Sequence, residues 1–225
     1  MSSGDSEKVS ALVTEFGTKL KMVSLLAPEA DRKRAMDEHY TQFVAPELLA
    51  QWYKEGAEGA LGRYASSPWP EQINIIEIRQ EGIGYVVEAN ILEVAQGEAS
   101  STQPAAVQPV TLTLEKRGDS YLIVKASKGS YSELPHRQTV VGFWECLPTK
   151  DTSGPQTTEC AFGIAVDQSD GHFAVDTRHM STYPDDFPTG TKVRVSGMVT
   201  PAKQLSSIQK YDIDGIISAT TIEKI

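Results

Sequence analysis

The chain has 225 residues, 40% of them hydrophobic and 23% charged, which is enough apolar material for one large core or two small ones and too much for a disordered chain. Its 21 Lys and Arg stand against 30 Asp and Glu, a net charge of −9, so the chain as a whole offers no cationic footprint for duplex DNA or anionic lipid. No apolar run approaches the roughly 20 residues that span a bilayer.

The opening residues, MSSGDSEK, are small, polar and charged, without the basic start and apolar stretch of a signal peptide. Residues 1–7 are therefore expected to be a disordered tail or the stub of a linker. If Met1 is the native start, the chain is cytoplasmic. If a leader or membrane anchor preceded it, the chain is extracytoplasmic.

From residue 8 the period is helical. Val9, Leu12, Val13, Phe16, Leu20 and Val23 recur at three- and four-residue steps, one stripe of an amphipathic helix. The segment LAPEAD breaks it, and Pro28 with Glu29 suits the first turn of a second helix carrying Ala35, Met36, His39, Tyr40 and Phe43. A third begins near Ala45-Pro46-Glu47 and carries Leu48, Leu49 and Trp52. The Gly- and Pro-rich stretch 56–70 ends the helical region.

From Ile73 the period changes to two. INIIEIR, YVVEANILEV, VTLTLEK and YLIVKAS read as four strands, with turns at Gly82–Gly84 and at 118–120. The polar insert AQGEASSTQPAAVQP reads as a protruding hairpin tip. Helices followed by an antiparallel meander make an α+β unit over residues 8–126. Residues 127–138 read as a linker. The remainder, 139–225, is all-β by pattern: TVVGFWECL, ECAFGIAVD, HFAVDT, KVRVSGMVT and YDIDGIISATTIEKI fit a small Greek-key barrel.

Cys146 and Cys160 are the only cysteines; neither belongs to a CxxC, and zinc is not expected. Each ends or begins a strand-like run, with a polar loop between. If the runs form a hairpin, the sulfurs face each other across its base. A bridge there stabilises by about 3 kcal/mol and implies an oxidising compartment. The alternative is two reduced thiols.

The segments VSLLAPEA, YTQFVAPELLAQW and GRYASSPWPEQINI resemble a family of uncharacterised bacterial extracytoplasmic proteins with an N-terminal membrane anchor. Residues 9–126 resemble the cystatin-like cone of the nuclear-transport-factor-two-like superfamily, whose helices lie on a curved antiparallel sheet. Related cones serve as accessory domains of conjugation and secretion machines. Residues 139–225 resemble an oligonucleotide/oligosaccharide-binding barrel through Gly190, Lys192, Val193, Val195 and Gly197, then Tyr211, Ile213, Gly215 and Ile217. Such barrels often carry a helix between the third and fourth strands; RHMSTYPDDFPTG, with two prolines, departs from that pattern.

The stretch GRYASSPWP has the most unusual local composition. Arg63 supplies a fixed planar cation, and Ser66, Ser67 and Trp69 add hydroxyls and a flat apolar wall, a set suited to a small acid or a peptide carboxylate. The alternative is a structural loop in which Trp69 covers the core and Arg63 pairs with a carboxylate. Gly56, Gly59 and Gly62 lack the strand-before, helix-after context of a phosphate loop. His39 reads as a core or interface histidine. His172, Asp176 and His179 lie close together but out of register for a metal, and Asp167, Asp170 and Gly171 lack a calcium ladder. Asp212 and Asp214 share a strand face and, with Asp185 and Asp186, form an acidic patch. The barrel region holds many aromatics (Phe143, Trp144, Phe162, Phe173, Tyr183, Phe187, Tyr211) but only eight basic residues against 11 acidic ones, which disfavours single-stranded nucleic acid.

No catalytic constellation, metal site or cofactor motif emerges. The expectation is a non-catalytic extracytoplasmic binding or scaffold protein, an accessory component of a cell-envelope, secretion or conjugation assembly, with a protein partner or a second copy of itself. A small-ligand or enzymatic cone with its pocket near Arg63 and Trp69, and a nucleic-acid-binding barrel, are the competing readings.

Overall fold

A computed structural model describes residues 3–95, 103–150, 160–167, 169–178, 180, 187–205 and 210–225. They form three α-helices and ten strands in two sheets, divided into two compact units. One unit contains Ser3–Ala95 and Pro104–Ser132; the other contains Gln103 and the described residues of Glu133–Ile225.

Helix α1 runs from Ser3 to Lys19, so the tail expected over 1–7 is largely helix, with Asp5 favourably placed in its first turn. Val9, Val13 and Phe16, with Leu20 in the 3₁₀ turn Leu20–Met22, are completely buried, the stripe the periodicity predicts. Helix α2 (Glu29–Tyr40) follows Pro28 and buries Met36 and Tyr40. Helix α3 (Pro46–Glu55) carries Pro at its first position and buries Leu48, Leu49 and Trp52. It stops at Gly56, whose φ of +62° suits a residue without Cβ and whose N–H donates to the Trp52 carbonyl at 2.9 Å.

Strands β1 (Trp69–Glu81), β2 (Gly84–Val94), β3 (Ala106–Arg117) and β4 (Ser120–Lys128) pair antiparallel in chain order. A two-residue strand, β5 (Ser132–Glu133), adds to β3. On β2 the odd positions Tyr85, Val87, Ala89 and Ile91 are buried with the helix side chains in one core. Helix α1 comes closest at Gly17: a Cβ there would lie 2.6 Å from the Ile73 amide nitrogen. Phe16, Tyr40 and Trp52 form an aromatic chain, with ring centroids 5.1 and 6.0 Å apart. The Tyr40 hydroxyl reaches the Leu61 carbonyl at 2.9 Å.

Strand bounds differ from the periodicity in two places. Strand β3 extends back through Pro109, which the sequence assigns to the insert; the Pro109 carbonyl accepts from Gly129 N at 2.8 Å, although the ring removes a donor. The stretch 127–138 is not a plain linker. β4 continues to Lys128, β5 lies within it, and β6 begins at His136. Of the insert, 96–102 lie outside the described residues.

In the second unit, β6 (His136–Cys146), β7 (Phe162–Val166), β8 (His172–Asp176), β9 (Thr191–Pro201) and β10 (Gly215–Lys224) close a barrel in the cyclic order β10-β8-β7-β6-β9. All neighbours run antiparallel except β8 and β10, which run parallel. Strand β6 pairs with both β7 and β9, and at Gly142 a Cβ would fall 2.0 Å from the Ala165 carbonyl oxygen. Val140, Trp144, Ile164, Val193, Val195, Val199, Ile217 and Ala219 fill the interior.

Candidate functional site

The loop between α3 and β1 is held at its middle and at its exit by the chain just after α1. Arg63 forms a parallel bridge with Ser24: Arg63 N–H donates to the Val23 carbonyl and Leu25 N–H to the Arg63 carbonyl, both at 2.8 Å. Trp69 Nε1 donates to Glu71 Oε2 at 2.9 Å, and Lys21 Nζ donates to the other oxygen of Glu71 at 2.8 Å. Burial pushes the Glu71 carboxyl up, but the hydrogen bonds from Lys21 and Trp69 and the Lys21 charge together hold it below the usual range. Lys128 Nζ donates to the Ala60 carbonyl at 3.0 Å and lies over the Tyr64 ring.

The structure thus draws Trp69 to Glu71 and Lys21, while Arg63 sits against Ser24. Ser66 is exposed and Ser67 half-buried. Arg63 is half-buried, forms no ion pair among the described residues, and its Nε is sealed from solvent without a hydrogen-bond partner. The carboxylate partner that the structural-loop reading gives Arg63 is therefore missing among the described residues, and Trp69, which that reading sets over the core, is half-buried with its indole N–H on Glu71.

Two further groups in this unit have no local sequence signature. Glu93, on β2, is buried, and Tyr131 donates to its Oε2 at 3.1 Å across a sequence separation of 38. Burial raises its pKa and the Tyr131 hydrogen bond opposes that shift. Tyr53 donates to Asp37, and burial, then the hydrogen bond and charge of Asp37, push the phenol up to about 12. His39 lies half-buried on α2.

In the barrel, Cys146 and Cys160 form a disulfide with Cα atoms 5.4 Å apart, joining the end of β6 to the residues before β7. Leu147 N–H then donates to the Ala161 carbonyl at 2.9 Å. The next residues lie along the chain that leads into β10. Asp212 N–H donates to the Pro148 carbonyl at 2.8 Å, Lys150 N–H to the Lys210 carbonyl at 3.1 Å, and Thr149 bridges Tyr211. Asp212 and Asp214 precede β10, which starts at Gly215, so they do not share the face of a regular strand.

His172 pairs with Glu145 at 3.5 Å, and Asp176 is engaged by Arg178 at 2.8 and 2.9 Å. Their expected companion His179 lies outside the described residues, as do Tyr183, Asp185 and Asp186. Asp167 pairs with Lys192 at 2.7 Å, and Gly171 N–H donates to Ser169 Oγ. Among the described residues no group of three or more His, Cys, Asp or Glu could hold a metal ion. Trp144 stacks on Phe162 at 5.9 Å and meets Phe187 edge-on at 6.1 Å. Lys192 lies over the Phe143 ring but is already paired with Asp167, and Arg194, Arg178 and Lys203 are paired with Glu223, Asp176 and Glu133. No family model, curated protein or solved structure matches the chain.

Proposed function

We propose that the chain is a non-catalytic binding or scaffold protein of an extracytoplasmic compartment, working as an accessory component of a cell-envelope assembly. The Cys146–Cys160 disulfide carries this reading, since such bridges persist in oxidising compartments and are rare in reducing ones. No described helix is long and apolar enough to cross a membrane. The strand order, with its one parallel pair, supports an oligonucleotide/oligosaccharide-binding type of barrel. The helices backed by a four-stranded meander support the cystatin-like cone. Both are frames that commonly present binding surfaces, and the fold by itself names no ligand.

Thiol titration of the protein isolated from its native cells under alkylating conditions tests the compartment. The expected result is no free thiol before reduction and two after it; two free thiols in the native protein overturn the reading. The nucleic-acid alternative is disfavoured by the ion pairs that occupy Lys192, Arg194, Arg178 and Lys203. A gel shift with mixed single strands at low salt is expected to show no retardation, and retardation would restore that alternative.

A further inference from the structure

The sheet of the α+β unit has two edges, and the chain treats them differently. On the β4 side the residues before α3 run along the strand: Ala45 N–H donates to the Ile123 carbonyl at 2.9 Å and Ile123 N–H to the Phe43 carbonyl at 2.8 Å. On the β1 side cover stops early. Gly17 of α1 lies against the Ile73 backbone, and Lys21 holds Glu71 at 2.8 Å, both near the start of the strand. From Asn74 to Glu81, β1 has no backbone partner among the described residues except β2. Asn74, Ile76, Glu77, Arg79, Gln80 and Glu81 are exposed, and Ile75 and Ile78 are half-buried. The other sheet closes into a barrel, so this stretch is the open sheet edge of the described residues. Glu81 and Gly84 close a two-residue turn, which points the backbone groups of Glu77, Arg79 and Glu81 toward β2 and leaves the N–H and C=O of Ile78 and Gln80 facing outward. Such an edge is a template for one more strand.

The side chains select which strand. Ile76, the extra residue where the ladder shifts register, is 63% exposed, and Ile83 at the hairpin tip is 85% exposed, so the edge is not blunted throughout by polar groups. Around Ile78 the charges read the same way for an antiparallel copy, with Glu77 on one side and Arg79 on the other. Arg79 lies 3.3 Å from Glu77 and 2.7 Å from Glu88, which places all three on one face. Glu77 and Glu88 are also direct cross-strand partners, so two opposed carboxylates share one guanidinium, and like charges in that position destabilise. A second β1 laid antiparallel with Ile78 opposite Ile78 sets Glu77 of each chain opposite Arg79 of the other and gives each Glu77 a second guanidinium. A two-fold axis at Glu77 or at Arg79 puts like charge opposite itself. An axis at Gln80 opposes Arg79 to Glu81 but runs the pairing off the turn at Gly82 and leaves Glu77 without a new partner.

We propose that the chain pairs with a second copy of itself through residues 75–81 of β1, antiparallel about Ile78, so that the two meanders join into one continuous sheet. The outward N–H and C=O of Ile78 then bond to those of its counterpart, and the remaining exposed part of each Ile78 is covered by the other. A pairing confined to 75–81 is small beside the roughly 1,200–2,000 Å² of a stable interface, so the association is weak and reversible. The proposal rests on the binding or scaffold reading above, whose partner it names, but not on the compartment: its failure leaves the thiol titration untouched, and two free thiols in the native protein leave the pairing untouched.

The test is sedimentation of the full-length, disulfide-intact chain at low salt over a ~100-fold range of concentration up to ~1 mM. The weight-average mass should rise toward twice that of the chain, and the Ile78 amide should gain exchange protection in step with it. Glu77→Arg sets an arginine opposite Arg79 of the copy, and Arg79→Glu sets a glutamate opposite Glu77. Each variant alone should self-associate at least ~10-fold more weakly than wild type. Mixed in equal amounts, the two set a pair of arginines against a pair of glutamates and should associate at least as tightly as wild type. Both positions are exposed, and thermal melts establish that each variant is folded; the wild-type mass and the Ile78 protection decide the question without them. A wild type that stays monomeric across the range overturns the proposal. So does a dimer whose Ile78 amide stays unprotected, a Glu77→Arg variant that associates as tightly as wild type, or a mixture that associates no more tightly than its components.

Discussion

Removing the disulfide should loosen the barrel and nothing else. The bridge spans a sequence separation of 14 residues, and closing a loop of that size restricts the unfolded chain by an amount equivalent to about 3 kcal/mol. The α+β unit has a separate core built around Phe16, Tyr40, Trp52 and Ile123, none of which belongs to the barrel core around Trp144, Ile164, Val195 and Ile217. The double variant Cys146→Ala/Cys160→Ala therefore puts the whole loss on one unit. Peptide-resolved amide exchange under conditions where opening is in rapid equilibrium reads that loss directly. At 1.4 kcal/mol per decade, 3 kcal/mol corresponds to about a hundredfold faster exchange for the most protected amides of β9 and β10. Amides of α1 and β2 should keep their wild-type rates. Acceleration below about threefold in β9 and β10 would refute the loop-entropy reasoning. Equal acceleration in α1 would refute the independence of the two cores.

Gly17→Ala should destabilise the α+β unit by about 1–3 kcal/mol despite the better helix propensity of Ala, because its Cβ would meet the Ile73 backbone nitrogen at 2.6 Å; a denaturant midpoint equal to or above wild type would contradict the close approach. Glu93→Gln should raise stability at neutral pH. Burial holds the folded-state pKa of Glu93 above its unfolded value, so the wild type loses stability as pH rises between the two, and the advantage of Gln should shrink toward zero by about pH 4; melts from pH 4 to 8 check the sign. Glu71 carries the opposite sign. Its lowered pKa contributes stability above the unfolded value that is lost as pH falls through the folded one, so Lys21→Met should flatten the acid limb of the same profile.

Elements with a short-range period were legible in the sequence. The α1 stripe, Pro46 opening α3 and the alternation along β2 follow from side-chain geometry repeated every few residues. The cysteine pairing was open to the same kind of reasoning, because both residues flank one hairpin-like pair of runs. Legibility failed where a local rule was overridden from a distance. Pro109 argues against a strand, yet Gly129, just past the end of β4, donates to its carbonyl and β3 runs through it. The polar start of the chain suggests a tail, yet α1 begins at Ser3 and its first turn leads directly into a buried stripe. The residues of YDID carry strand-like alternation, yet Tyr211 bridges Thr149, Asp212 N–H donates to Pro148 and Asp214 N–H to His172, and regular pairing starts only at Gly215.

The candidate site shows the same division within a single loop. Composition drew attention to Arg63 and Trp69 together, because a planar cation and an indole in one Pro-rich stretch suit an acid. What each side chain does depends on residues about 40 to 50 positions away: Lys21 orders Glu71 for the Trp69 indole, and residues 23–25 anchor the Arg63 backbone. Trp69 thereby becomes a satisfied structural residue, while Arg63 keeps its guanidinium nitrogen unmet. An unsatisfied buried donor carries a free-energy penalty of about 1–3 kcal/mol, and in a chain with 30 acidic residues a Glu or Asp within reach would remove it. That none of the described residues does so sets Arg63 apart from Lys21, whose carboxylate comes from β1 itself. The stability of Arg63→Met separates the two roles an arginine can have here. A packing residue lowers the midpoint when truncated, whereas an arginine whose buried Nε has no acceptor leaves it unchanged or raises it.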